Sequence, residues 1–131
     1  MIKKTFFALL TVLSVALNAH AFDATNFDAA AFQADQAKGE AILVDVYAKW
    51  CPTCKKQHQE FSELFKNDKY KGIKTYKLDY DNKKLVEQFS KLIGRPIPRQ
   101  STVVVFKGKE VISFSVAETG EKLKAAIDKA L

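Results

Sequence analysis

The chain has two cysteines, Cys51 and Cys54, and they stand in one run, Trp50-Cys51-Pro52-Thr53-Cys54. An apolar stretch, Ile42 to Ala48, precedes this run, and a helical pattern from Cys54 to about Phe65 follows it. A Cys-x-x-Cys pair at a predicted strand-to-helix junction points to dithiol chemistry. At a helix start the backbone N–H groups are unpaired and the dipole is positive, which favours a thiolate over a thiol. Cys51 is therefore the expected nucleophile. Cys54 lies one turn further in on the same helix face, where it can close a small Cys51–Cys54 disulfide ring and is shielded by the turn before it. That makes Cys54 the expected resolving thiol. Pro52 suits the first helical turn, because its missing N–H would have had no partner there, and the Pro52-Thr53 pair helps to tune the potential.

Two cysteines can equally be half of a zinc site or a structural disulfide. His58 shares a helix face with Cys54 and Phe61, so a Cys51, Cys54, His58 metal site is conceivable, but it would be one ligand short. A packed, hydrogen-bonded helix histidine is the plainer reading. No metal is expected.

Met1 to Ala21 has the form of a cleaved secretory signal: a basic head of Lys3 and Lys4, an uncharged apolar stretch from Phe6 to Leu17, and the small-x-small site Ala19-His20-Ala21. The apolar stretch is shorter than the ~20 residues of a spanning helix, so membrane contact is expected only if the signal stays uncleaved. The mature chain then runs from Phe22 to Leu131 as one domain in an oxidising compartment, most simply a bacterial periplasm. Of the formal charge of +6, Lys3 and Lys4 account for two, leaving +4 on that domain. No basic run is interleaved with aromatics, so a nucleic-acid partner is not expected.

Asn26 to Lys38 reads as a first, covering helix anchored by Phe27 and Phe32, and Lys38-Gly39 as its stop. Ile42 to Ala48 reads as a strand buried on both faces. Asp45 interrupts it. A carboxylate in a central strand costs several kcal/mol unless it is partnered or protonated, as a rough scale. It is either satisfied by backbone or water, or it is a buried acid of raised pKa that exchanges protons with the resolving thiol. Ile73 to Asp79 reads as a second strand, parallel to the first through a right-handed crossover. Asn82 to Ile93 reads as a helix with Leu85, Phe89, Leu92 and Ile93 towards the core. Beyond the break at Gly94, Pro96 and Pro98, Thr102 to Phe106 and Glu110 to Phe114 read as an antiparallel hairpin across Lys107-Gly108-Lys109. A last helix from Glu118 or Thr119 presents Leu123, Ile127 and Leu131 to the sheet.

This order of elements and the run Leu43-Val44-Asp45-Val46-Tyr47-Ala48-Lys49-Trp50-Cys51-Pro52-Thr53-Cys54 resemble the thioredoxin family. The resemblance implies an α/β fold: a central mixed sheet of four or five strands, a parallel strand-helix-strand unit followed by a hairpin and a helix, with helices on both faces. It places Asp45 on the family's proton-transfer aspartate, Trp50 on the tryptophan that walls the site, and Cys51 and Cys54 on the redox thiols. It places Lys77 on a lysine that approaches the buried aspartate; a plain strand-edge lysine is the other reading. The family sets a proline opposite the dithiol, where the neighbouring backbone docks substrate. Here an ungapped match from Thr102 back puts Ser101 at that position, whereas Ile97-Pro98 fits only with an insertion.

The Pro-Thr dipeptide with Lys55 and His58 is similar to the active-site helix of periplasmic thioredoxins of cytochrome c maturation, but their characteristic insertion has no counterpart. The inserted helical domain of the strong oxidases has no room either. The resemblance implies a monomeric, periplasmic protein-disulfide reductase that needs no cofactor beyond its redox-active disulfide. Its partners would be disulfide-bearing proteins and a membrane-embedded thiol electron donor. The alternatives are a disulfide oxidase or isomerase of the same fold, or a non-catalytic binding module serving as a chaperone or metal binder.

Overall fold

The computed structural model describes residues 22–131. The expected signal at 1–21 lies outside the described residues. The centre of the fold is β2 (Ala41–Tyr47), whose mid-strand residues are buried on both faces, as its near-continuous apolar sequence requires. It pairs in parallel with β3 (Lys74–Asp79) on one side and antiparallel with β4 (Thr102–Lys107) on the other. β5 (Glu110–Val116) extends the sheet beyond β4, and a short β1 (Thr25–Asn26) runs parallel to β3 at the far edge. The strand order is β1-β3-β2-β4-β5.

Alternation along β2 sorts its side chains between two cores. Ile42, Val44 and Val46 join Val104 and Phe106 of β4 and Tyr76 and Leu78 of β3 on the face covered by α1 (Ala29–Ala37) and α3 (Lys83–Ile93). There Phe32 packs against Phe27, Phe89 and Phe106 with ring centroids 5.4, 5.7 and 5.1 Å apart. Leu43 joins Val103 and Val105 on the opposite face, beneath Phe61 of α2 (Pro52–Leu64) and Leu123 and Ile127 of α4 (Gly120–Asp128). Asp45 is two residues from Leu43 and so projects toward the α2 face.

Three expectations need correction. Asn26 belongs to β1 rather than to the first helix, because the Asp28 carboxylate accepts from the Ala31 N–H at 2.9 Å and starts α1 at Ala29. Leu92 is exposed, since Phe89 and the flanking Leu85, Val86 and Ile93 already cover the sheet. Leu131 is exposed too: α4 ends at Asp128, and Ala130 takes the inward position. Gly94, with φ +69°, closes α3 in the left-handed conformation that glycine adopts without a Cβ clash. Among the described residues no helix is long and apolar enough to cross a membrane.

Candidate active site

β2 runs straight into α2, and the turn between them sets Cys51 at the N-cap and Pro52 at the first helical position. The cap is a sulfur. Cys51 Sγ accepts the Cys54 backbone N–H at 3.1 Å, so a helix-end donor that would otherwise lack a partner points at the thiol. Both cysteines are free. The expected shielding of Cys54 is found, at 5% exposure, but Cys51 is shielded as well, at 1%.

Ser101 closes the site. Its hydroxyl lies 3.2 Å from Cys51 Sγ and 3.2 Å from Cys54 Sγ. Of the two loop candidates, Ser101 is therefore the one that faces the dithiol; Pro98 is exposed, and Ile97 is buried in the core beneath α1 and α3. No described peptide bond is cis. Ser101 holds φ at +66°, a left-handed conformation costing a non-glycine residue about 1–2 kcal/mol. Three hydrogen bonds offset that cost. Its N–H donates to Val46 O at 2.8 Å, and its carbonyl accepts from the Ala117 N–H at 2.9 Å and from Gln57 Nε2 at 3.2 Å. Gln57 Nε2 also donates to Glu118 O at 3.0 Å, so one buried side chain ties the Ser101 loop to the segment ahead of α4.

The two thiols differ in acidity. Burial pushes the Cys51 thiol up, but hydrogen bonds from Cys54, from the Ser101 hydroxyl and from the helix-end backbone outweigh it and leave Cys51 below the ordinary thiol value. Burial, with the neighbouring Cys51 sulfur, holds Cys54 above it. Asp45 is raised from 3.8 to about 7 by burial, and its Oδ1 has no hydrogen-bond partner. A cavity of about 360 Å³ joins it to Cys54, with Lys77, His58, Lys55 and Phe22 among the lining residues. Lys77 lies opposite Asp45 in the β2–β3 register, is half-buried, and makes no ion pair with it.

Trp50 is 61% exposed beside Cys51 and donates its indole N–H to Asp81 Oδ2 at 3.0 Å. Pro52 is exposed and Thr53 half-buried. His58 is exposed, its ring T-shaped to Phe22 with centroids 5.6 Å apart, rather than packed in the core. Among the described residues no three His, Cys, Asp or Glu side chains gather as metal ligands. Gln57 and Asp81 escaped the sequence reading. Gln57 had a signal: it is the one polar residue in the buried stripe Cys54, Gln57, Phe61. Asp81 had none, since a turn carboxylate is ordinary.

The family model described as Thioredoxin matches residues 20–129. The thiol:disulfide interchange protein DsbE of Vibrio cholerae is 32% identical over 92 residues, covering 70% of this chain and 46% of that protein. The thiol-disulfide oxidoreductase ResA of Bacillus anthracis is 26% identical over 108 residues, covering 82% of this chain and 60% of that protein. The chain thus spans about half the length of these curated relatives. The crystal structure of Trxlp from Edwardsiella tarda superposes with a TM-score of 0.67 at 32% identity, covering 81% of this chain and 96% of that one. A fold, a dithiol at a helix start and a sequence match of this extent agree, and the chain belongs to the thioredoxin family.

Proposed function

We propose that the chain is a thiol-disulfide oxidoreductase that reduces protein disulfides through Cys51 and Cys54. The observation that carries this reading is the division of labour between the thiols. One, at the helix cap, is made acidic by hydrogen bonds; the other is kept protonated beside a buried carboxyl group that titrates near neutrality. The Cys51 thiolate attacks a substrate disulfide, forming a mixed disulfide and releasing one substrate thiolate. Asp45, as carboxylate, takes the Cys54 proton across the shared cavity. Cys54 then attacks the Cys51 sulfur, releases the second substrate thiolate and leaves the Cys51–Cys54 disulfide. Two electrons pass to the substrate, and two from a thiol donor restore the dithiol.

Trp50 offers an exposed aromatic surface beside the nucleophile on which a substrate chain can rest. The names of the DsbE and ResA relatives, a thiol:disulfide interchange protein and a thiol-disulfide oxidoreductase, support the same reaction class. With the secretory-type residues Met1 to Ala21, they support a periplasmic protein recharged by a membrane thiol donor. Recovery of a chain beginning at Phe22 from an expressing bacterium is the expected sign of export.

Dithiothreitol-driven insulin reduction tests the activity. Wild type should catalyse it, and Cys54→Ser should stall as a mixed disulfide on Cys51, visible by mass spectrometry. A wild-type protein that leaves insulin disulfides untouched would sink the proposal. The potential of the couple decides direction: near about −270 mV it is a reductant, near about −120 mV an oxidant.

A further inference from the structure

We propose that the Ser101 hydroxyl is a catalytic hydrogen-bond donor shared by the two sulfurs, turning from the Cys51 thiolate to the Cys54 thiolate as negative charge moves between them. This rests on the dithiol exchange proposed above. Ser101 Oγ stands at the same 3.2 Å from each sulfur. Ser101 is fully buried, so no bulk water competes for the hydroxyl. Its backbone N–H and carbonyl are committed to Val46, Ala117 and Gln57, which fixes the residue in its left-handed conformation. The Cβ–Oγ bond is the part left free to turn.

A serine hydroxyl has one proton and two acceptor lone pairs. In the dithiol, the O–H donates to the Cys51 thiolate alongside the Cys54 backbone N–H, and the one Cys54 S–H proton is shared between the Cys51 sulfur and Oγ. Attack on a substrate disulfide turns the Cys51 sulfur into half of a neutral disulfide, which no longer draws the proton. When Asp45 takes the proton from Cys54, Oγ loses its incoming bond and the O–H turns to the new Cys54 thiolate. Serine neither gains nor loses a proton in the cycle. A proline at this position has no hydroxyl and could serve neither sulfur.

The test is the two-phase reaction of the reduced protein with the chromogenic disulfide DTNB. The first thionitrobenzoate is released by Cys51 attack and the second by Cys54 resolution. Thiolate absorbance at 240 nm, titrated against pH, is read in parallel. Ser101→Ala removes the hydroxyl; Ser101→Gly removes it and also relieves the left-handed strain, which keeps the test available if the alanine variant does not fold. In both variants the Cys51 titration should move to higher pH and each release phase should slow about tenfold near neutral pH, the scale of one lost hydrogen bond to a charged group. Coincident titrations with unchanged phases overturn the proposal, and so does a change confined to one phase, because the hydroxyl would then not be shared. DTNB is not a protein, so failure of wild type to reduce insulin would refute the substrate class above and leave these phases to decide the serine.

Discussion

Replacing Asp45 with asparagine should remove a pH dependence of stability that the wild-type protein carries through one buried carboxyl group. Asp45 is 4% exposed, and burial raises it from 3.8 to about 7. Below about pH 4 the folded and unfolded chains both hold the proton, and the acid adds no penalty. Between about 4 and 7 the unfolded chain releases it while the folded chain keeps it, so the unfolded state binds fewer protons and stability falls as pH rises. Above about 7 both are ionised and the loss is complete. At 1.36 kcal/mol per unit the full swing is about 4 kcal/mol. Urea unfolding at pH 4, 5.5, 7 and 8 measures it, best in a Cys51→Ser, Cys54→Ser background that silences the thiols. Wild-type-like protein should lose about 4 kcal/mol relative to Asp45→Asn across that range, most of it before pH 7. Parallel stability curves for the two proteins would refute the raised pKa of Asp45 and, with it, a carboxylate basic enough near neutral pH to take the proton of Cys54.

Two further substitutions test the framework around the dithiol. Gln57→Leu removes the donor to Ser101 O and Glu118 O, and should cost about 1 kcal/mol in urea unfolding while displacing the Cys51 thiolate titration. An unchanged titration would show that Ser101 is held without it. Phe32→Ala empties the middle of the aromatic cluster over β2 and β4, and should cost about 3–5 kcal/mol by the same measurement. A loss under about 1 kcal/mol would mean that this core repacks.

Much of the site was legible because its signals are local. The apolar run of β2, the Cys-x-x-Cys at the first turn of α2 and the isolated Asp45 each depend on a few adjacent residues, and strand alternation by itself assigns Asp45 to one face. Ser101 was legible only as one of two candidates. Choosing it required the register of β4 against β2, which delivers residue 101 beside Val46 and over the sulfurs. Gln57 stands out in sequence only as the polar residue of the Cys54, Gln57, Phe61 stripe; what it binds was not legible, because its partners lie 44 and 61 residues away. β1 is a two-residue strand with no periodicity to read; it exists because the edge of β3 offers unpaired backbone groups.

By itself, the sequence determined the succession of strands and helices from α1 onward, the placement of a dithiol at a helix end and the presence of an acid in the central strand. These follow from side-chain periodicity and from backbone groups that every helix start leaves without a partner. Tertiary structure alone decided that a serine faces both sulfurs, that both thiols are buried, and that Asp45 reaches Cys54 through a common cavity. The first is a meeting of segments 47 and 50 residues apart in the chain. Packing of sheet against helix sets the distance, and with it the hydrogen bonding and desolvation that separate an acidic thiol from an ordinary one.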